Sequence, residues 1–203
     1  MSKEYLYLIE EITKSYFSTV RSLANAIEAN DKHTRGHCER VSKISLAIAE
    51  HMGIEGEQLE ILKIASILHD IGKIGISTAL LNKEEKLSEE EFEIIKKHPE
   101  IGYDILSGVE FLETSRKVIL QHHERMDGKG YPQGLKGNEI TLLSRIIAVA
   151  DAYDAMTSSR PYRKSPLTKD EAIKELLRNK GTQFDSDVVD YFVDLLMLPS
   201  TSL

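Results

Sequence analysis

The sequence predicts an all-α domain. Apolar residues recur every three or four positions along most of the 203-residue chain, which is the period of an amphipathic helix. No stretch alternates as a half-buried strand does, and neither an internal repeat nor a low-complexity linker divides the sequence. Hydrophobic residues make up 41% and charged residues 29%, which are ordinary values for a globular protein. A single helical domain with a conventional core is therefore expected.

Three helices are predicted in the first third of the chain. An apolar stripe over residues 9–27 predicts a long first helix. A second stripe, over residues 41–52, ends at Gly53, and glycine commonly follows a helix C-terminus. Residues from about 57 to 71 are apolar nearly all round. The third helix is therefore expected at the centre of the bundle.

The fourth helix has the clearest start in the sequence. Ser88 and Glu91 have the spacing of a capping box. The helix is expected to end before Pro99, because the residue preceding a proline is pushed out of the helical region. A short helix to about residue 106 and another reaching the His122–His123 pair are predicted next.

The last third of the chain begins with a predicted loop. Residues 124–140 contain four glycines and a proline, which indicates an ordered loop. Helices are expected to resume near Thr141, at Thr168, where Glu171 completes a capping box, and after Asp185, which suits an N-cap.

Composition excludes several classes of protein. A net charge of -7 argues against non-specific nucleic-acid binding, which requires a basic face. It does not exclude a small anionic substrate, because a bound metal can reverse the local field. No apolar run approaches the ~20 residues needed to span a bilayer, so no membrane segment is expected. The one cysteine, Cys38, and the charged N-terminal region favour a cytoplasmic protein.

Five of the seven histidines follow or flank an apolar helical face. Helical geometry directs side chains at these offsets toward the core, where an imidazole needs a partner. A hydrogen-bonded core histidine is the simpler interpretation for any one of them. Five together, with a carboxylate adjacent, favour a metal site, since imidazole and carboxylate are ligands of zinc, iron, manganese and nickel. The five are His37, His69, His98, His122 and His123.

Two carboxylates and a lysine extend this cluster. Asp70 follows His69 directly, and one carboxylate can bridge two ions. Asp151 enters an otherwise apolar helix, where an unpaired charge would cost several kcal/mol; a metal ligand or a hydrogen-bonded acid would explain it. Lys73 lies three residues after Asp70 and can hold a phosphate oxygen or protonate a leaving group, or it can be a solvated cation at a helix end.

The ordered motifs resemble those of the HD-GYP family, over about residues 24–195. The resemblance implies an HD-domain helical bundle with an additional C-terminal GYP-type helical part. It divides the chain into an N-terminal signalling or linker helix, residues 1–23, and a catalytic domain, residues 24–203. The implied activity is hydrolysis of cyclic di-GMP to linear pGpG or onward to GMP. The matching segments are TRGHCERV, HDIGKIGI, LNKEEKLSEEEFEIIKKHPEIG, QHHERMDGKGYPQGLKG, SRIIAVADAYDAMTSSRPYR and GTQFD.

The resemblance also implies roles for individual residues. Lys73 matches the lysine that meets the scissile phosphate. Tyr131, Arg160 and Arg163 resemble the residues that contact the nucleotide, and guanidinium suits phosphate oxygens. The positions that match the family's metal ligands are His37, His69, Asp70, His98, His122, His123 and Asp151.

The number and identity of the metal ions stay open at this point. Two divalent ions are implied, with a third if His33 is also a ligand, because His33 lies one helical turn before His37. Iron or manganese fits a nitrogen and oxygen site best, with nickel or magnesium as alternatives. Cys38 is interpreted as a packing residue and His51 as a helix C-terminal histidine without a chemical role.

The expected partner is a cyclic dinucleotide, with no nucleic acid. The N-terminal stripe can pair with a second copy of the chain, receive a signal from an upstream sensor domain, or pack on its own domain. Two other functions remain open: a non-catalytic module that senses a cyclic dinucleotide, and a phosphohydrolase of another nucleotide, such as a mixed cyclic dinucleotide. Metal content separates the first of these from an enzyme.

Overall fold

The computed structural model describes residues 3–28, 36–158 and 165–198. These contain no β-strand, only isolated bridges, so the all-α prediction is confirmed. Three short 3₁₀ helices lie at Ile71–Gly75, Glu110–Leu112 and Gly137–Glu139. The α-helices are α1 (Lys3–Glu28), α2 (His37–His51), α3 (Glu57–Leu68), α4 (Thr78–Leu81), α5 (Glu89–Ile95), α6 (His98–Ile105), α7 (Glu113–Gln121), α8 (Leu142–Thr157), α9 (Lys169–Arg178) and α10 (Ser186–Met197).

The core is built around α3 and α8. Leu62, Ala65 and Leu68 of α3 are buried, and this helix packs against α2 and α7. Ile146 and Ile147 of α8 are fully buried, and α8 packs against α2. The central position predicted for the third helix is confirmed. Both helices carry polar site residues at or near their C-terminal halves, so the core itself fixes where those residues lie.

One predicted helix end is wrong. The third helix ends at Leu68, three residues early, and a 3₁₀ helix starts at Ile71. The fourth helix ends before Pro99 as predicted, at Ile95, and the predicted short helix follows as α6, which begins at His98 with Pro99 in its first turn. Proline is tolerated there because the first N–H groups of a helix have no intrahelical acceptor.

Gly72 explains why the chain turns so tightly after α3. A Cβ atom at this position would lie 1.8 Å from the carbonyl oxygen of His98. Only glycine therefore lets the segment after Asp70 pack directly on the start of α6. This contact brings two stretches of site residues together.

The predicted caps are present. Ser88 and Thr168 each form a capping box, and the Asp185 carboxylate accepts N–H bonds at the start of α10. Residues 124–140 form the expected ordered loop. Its Met126 and Asp127 N–H groups donate to carbonyls of the turn between α9 and α10, so the C-terminal helices hold this loop in place.

The N-terminal helix is continuous across the predicted domain boundary at residues 23 and 24. Val20 and Ala24 of α1 are buried in the common core, and α1 packs against α3. Tyr7 and Leu23 are exposed on the same helix. None of the described helices is both long and apolar enough to cross a membrane.

Candidate metal centre

Two groups of potential metal ligands lie side by side inside the bundle. In each group, one nitrogen or oxygen atom from every member lies within 4.8 Å of the others. The first group is His37, His69 and Asp70; the second is His98, His122 and His123.

The first group joins the start of α2 to the end of α3. His37 Nε2 lies 3.2 Å from Asp151 Oδ1 and 3.9 Å from Asp70 Oδ2. His69 Nε2 lies 3.5 Å from the same Asp70 oxygen. Asp151 projects from α8 and completes a set of two imidazoles and two carboxylates.

The second group joins the start of α6 to the end of α7. His98 Nε2 and His122 Nε2 are 3.3 Å apart, and the His122 and His123 ring centroids are 4.0 Å apart. His98 Nε2 lies 3.4 Å from Asp70 Oδ1. One oxygen of Asp70 therefore faces each group, which is the arrangement of a carboxylate that bridges two ions.

The outer ring nitrogens are already occupied, which orients the inner ones. Nδ1 of His69, His98 and His122 lies 2.7, 2.8 and 2.6 Å from the main-chain oxygens of Ser66, Ile95 and Ile119. A carbonyl only accepts hydrogen bonds, so Nδ1 carries the proton in each ring. Nε2 is then left with a lone pair directed into the cluster, as a metal-binding histidine requires.

His69 supplies the test of whether a metal fits. Its Nε2 is buried and has no hydrogen-bond partner among the described residues. An unpaired buried nitrogen costs about 1–3 kcal/mol, and its neighbours here are further imidazole nitrogens and carboxylates. A divalent cation satisfies all of these lone pairs at once, so the donor set fits a metal centre.

The two groups differ in their electrostatics. Burial disfavours charge on His37, but hydrogen bonds to Asp151 and Asp154 outweigh it and raise the pKa to about 9. Burial and the neighbouring imidazoles lower the pKa of His123 to about 3 and the pKa of His122 well below its usual value. Burial opposes charge on Asp70 and Asp151 as well, yet the surrounding cations and imidazoles hold both carboxyl pKa values below their ordinary range.

Lys73 and Tyr131 flank the centre. Lys73 Nζ lies 2.7 Å from Asp70 Oδ2. The Tyr131 ring lies 4.8 Å from the His123 ring between centroids. Burial and the nearby carboxylates raise the pKa of Tyr131, so the phenol is neutral near neutral pH.

Two further carboxylates hold the site in place, and the sequence analysis did not assign them. Asp154 Oδ2 lies 2.6 Å from His37 Nδ1, and Arg40 Nε donates to Asp154 Oδ1 at 2.5 Å. Glu124 accepts N–H bonds of 2.7, 3.1 and 3.0 Å from residues 133–135 and fixes the loop that carries Tyr131. Glu124 directly follows the histidine pair, and Asp154 lies one helical turn after Asp151. This closeness in sequence to candidate ligands was the signal that could have identified both residues.

The sequence analysis also considered five other residues. Of these, His33, Arg160 and Arg163 fall outside the described residues. Cys38 is buried in the apolar core, where burial raises the thiol pKa. His51 ends α2, at the opposite end of that helix from His37, and lies 2.7 Å from Asp194 of α10.

Comparison with known proteins adds family information. A model of the HD domain matches residues 21–188. The cyclic di-GMP phosphodiesterase response regulator RpfG of Xanthomonas campestris pv. campestris is 41% identical over 192 residues, which are 94% of this chain and 50% of that protein. The 3'3'-cGAMP-specific phosphodiesterase 2 of Vibrio cholerae is 34% identical over 193 residues, covering 94% of this chain and 37% of that protein. This chain thus spans half or less of these relatives.

A solved structure shows the same fold. It is described as a HDG"Y"P protein from Bdellovibrio bacteriovorus and superimposes with a TM-score of 0.69 at 24% sequence identity. The superposition covers 95% of this chain and 67% of that one. The helical arrangement around the two ligand groups is therefore shared with a protein of known structure.

Proposed function

The chain belongs to the HD domain family, as its resemblance to HD-GYP proteins predicted, and from this premise we propose that it is a metal-dependent phosphodiesterase. Its substrate is cyclic di-GMP, which it hydrolyses to linear pGpG or onward to GMP. The observation that carries the proposal is Asp70, whose two oxygens face two separate histidine groups at 3.4 and 3.5 Å. The names of the similar proteins supply the substrate class.

The proposed centre would hold two divalent ions. His37, His69 and Asp151 would bind the first, His98, His122 and His123 would bind the second, and Asp70 would be a ligand shared by both. When bound, such ions lower the pKa of water and neutralise the charge that develops on the phosphate oxygens. Iron or manganese suits these ligands best, and nickel or magnesium is the alternative. His33 is the proposed ligand of a third ion, which would be detected as a metal content above two ions per chain.

The chain's own residues position the substrate around this centre. The Lys73 ammonium, now paired with Asp70, is placed to hold a non-bridging phosphate oxygen and to stabilise its charge. Tyr131, Arg160 and Arg163 orient the nucleotide, the arginines by paired hydrogen bonds to phosphate. Glu124 keeps Tyr131 beside the metal centre by fixing its loop.

Residues 24–203 form the proposed catalytic domain, and residues 1–23 form a signalling helix that pairs with a second copy or continues from an upstream sensor domain. The exposed Tyr7 and Leu23 on α1 support a contact there. A solution mass equal to two chains, reduced to one by a Leu23→Glu substitution, is the expected result. A strict monomer would contradict pairing between copies.

A mixed cyclic dinucleotide is the second candidate substrate. The similarity to a 3'3'-cGAMP-specific phosphodiesterase favours it. A non-catalytic sensor is disfavoured, because a protein that only binds the nucleotide has no need of two complete ligand groups.

The decisive experiment is anaerobic incubation of the protein, reconstituted with manganese and then with ferrous iron, with cyclic di-GMP. We expect pGpG or GMP to form over time, and no product from a His69→Ala Asp70→Ala double variant. His51→Ala serves as the control, since that histidine lies outside the centre and should leave turnover unchanged. Tight binding without product would indicate a sensor. If the protein neither binds nor hydrolyses cyclic di-GMP, that substrate is excluded, and the mixed cyclic dinucleotide is the next one to test.

A further inference from the structure

A cavity of about 480 Å³ opens onto the second ligand group. His122, His123 and Asp151 form one side of it. The remaining lining comes from four places: α5 and the residue after it, the loop after α7, α8, and the turn between α9 and α10. The cavity is thus continuous with the metal centre and extends well past the space that a phosphate would fill.

Two aromatic rings face this cavity. The Nζ atom of Lys96 lies over the Phe92 ring at 5.0 Å from its centroid and over the Tyr131 ring at 5.8 Å. The faces of both rings therefore look onto one position, which the Lys96 ammonium occupies, and a base stacked there displaces this side chain. Phe92 is 44% exposed although it lines the cavity. Aromatic faces of this kind are the stacking platforms of nucleobase sites, where each stacked base contributes about 1–3 kcal/mol.

Gln183 adds a polar group to the lining of the same cavity. Its main chain is fully used, since its N–H donates to Asn179 at 3.0 Å and its carbonyl accepts from Met126 at 3.4 Å. In the described part of the chain, its side-chain amide has no hydrogen-bond partner, although it lines the cavity and is half-buried. The two aromatic faces and the amide come from three separate parts of the sequence, at residues 92, 131 and 183.

We infer that these residues form a purine-binding subsite, in which Phe92 and Tyr131 stack on a base and the Gln183 amide reads its edge. The inference deepens the proposed function and rests on it. A carboxamide both donates and accepts, so it can pair with N7 and the N6 amino group of adenine or, turned over, with O6 and N1–H of guanine. The subsite therefore accepts either purine, and the protein acts on cyclic di-GMP and on the mixed cyclic GMP–AMP dinucleotide with similar efficiency.

The edge-reading role is tested with Gln183→Glu. A carboxylate only accepts, so it pairs with the N1–H and N2 amino groups of guanine and loses the donor that adenine N7 needs. We expect the ratio of kcat/KM for cyclic di-GMP to that for cyclic di-AMP, which unlike cyclic GMP–AMP offers the subsite no guanine, to rise about tenfold, within the range for one base contact. The added negative charge affects both substrates and cancels in the ratio. An unchanged ratio would overturn the role of Gln183.

The stacking role is tested with Phe92→Ala. We expect KM for both dinucleotides to rise about tenfold or more, with kcat and metal content near those of the wild type. Phe111→Ala is the matched control, because Phe111 is also exposed, at 65%, and does not line the cavity. Equal KM values in the two variants would overturn the stacking role.

Binding separates a failure of the subsite from a failure of the proposed function. If the metal-loaded wild type hydrolyses neither dinucleotide, the proposed function is wrong, and the same variants are compared by calorimetric Kd values. Weaker binding by Phe92→Ala and a shifted purine preference in Gln183→Glu would still support the subsite. If the wild type is active and the variants behave like it, only the subsite is wrong.

Discussion

The two halves of the candidate metal centre share Asp70 but differ in charge. Around His37 and His69 stand two further carboxylates, Asp151 at 3.2 Å and Asp154 at 2.6 Å from His37 nitrogens. The other half holds three imidazoles, His98, His122 and His123, and receives negative charge from Asp70 at 3.4 Å. The pKa of His37 is accordingly raised, whereas burial lowers the pKa of every histidine in the other half.

This difference indicates two ways of preparing a cation site. In the half around His37, fixed negative charge is already present, and in the metal-free protein a proton on His37 balances part of it. In the half around His98, the imidazole nitrogens are neutral and shielded from water. They attract a cation mainly by donating their lone pairs, because little fixed negative charge is present. The two proposed ions are therefore expected to differ in affinity and in their response to substitution.

The largest effect is expected from Asp70→Asn, which removes the group that both halves share. An amide cannot bridge two ions as a carboxylate does, and the metal centre is expected to supply several kcal/mol of transition-state stabilisation. Hydrolysis should fall on the order of a thousandfold, and metal content should fall at both positions. Asp104→Asn is the control, because Asp104 is exposed on α6. Near-normal metal content and turnover in Asp70→Asn would make the bridging role wrong.

Substitution of one histidine from each half should separate the two positions. His37→Ala and His123→Ala are each expected to reduce metal content from about two ions per chain to about one, with loss of hydrolysis, because the mechanism requires both ions. Elemental analysis after gel filtration measures this. His51→Ala should retain the full metal content, since His51 pairs with Asp194 outside the centre. Loss of both ions from either variant would show that the halves bind cooperatively and not independently.

A smaller and more local effect is expected from Asp154→Asn. The Asp154 carboxylate holds His37 Nδ1 at 2.6 Å, and removing such a supporting partner typically costs about 10–100-fold in metal affinity. Only the position that includes His37 should weaken. Asp194→Asn is a matched control, because it alters a histidine–aspartate pair of 2.7 Å that holds no ligand. Equal weakening at both positions would indicate a general loss of packing.

The helical fold and the position of the candidate ligands beside apolar helical faces could be predicted from the sequence because both depend on local pattern. Each ligand flanks an apolar face, and that periodicity is set by residues three and four positions away. His98 illustrates this. It lies at the start of α6, and its Nδ1 lies 2.8 Å from the Ile95 carbonyl oxygen, so its Nε2 points inward as expected.

The grouping of the ligands was not predictable from pattern. His37 and its supporting Asp154 lie 117 residues apart, and no local period links them. The same holds for Phe92 and Gln183, which are brought to one cavity by the packing of α5, the loop after α7 and the α9–α10 turn. Gly72 was only partly predictable. The sequence shows a glycine in the HDIGK string, but the reason that only glycine fits there is its close contact with the His98 carbonyl, which the structure reveals.

The smallest expected difference between the two halves is in how their metal affinity depends on pH. Burial opposes a proton on His37, but Asp151 and Asp154 raise its pKa to about 9, so below that pH a metal ion must displace the proton. Affinity at this position should rise about tenfold per pH unit up to about pH 9. At the other position the pKa of His123 is lowered to about 3, and affinity should be nearly constant over the same range. Competition against a chelator measures how metal affinity changes with pH. The His123→Ala variant retains the position that includes His37, and the His37→Ala variant retains the position that includes His123. Parallel slopes would mean that the carboxylates around His37 do not set its protonation.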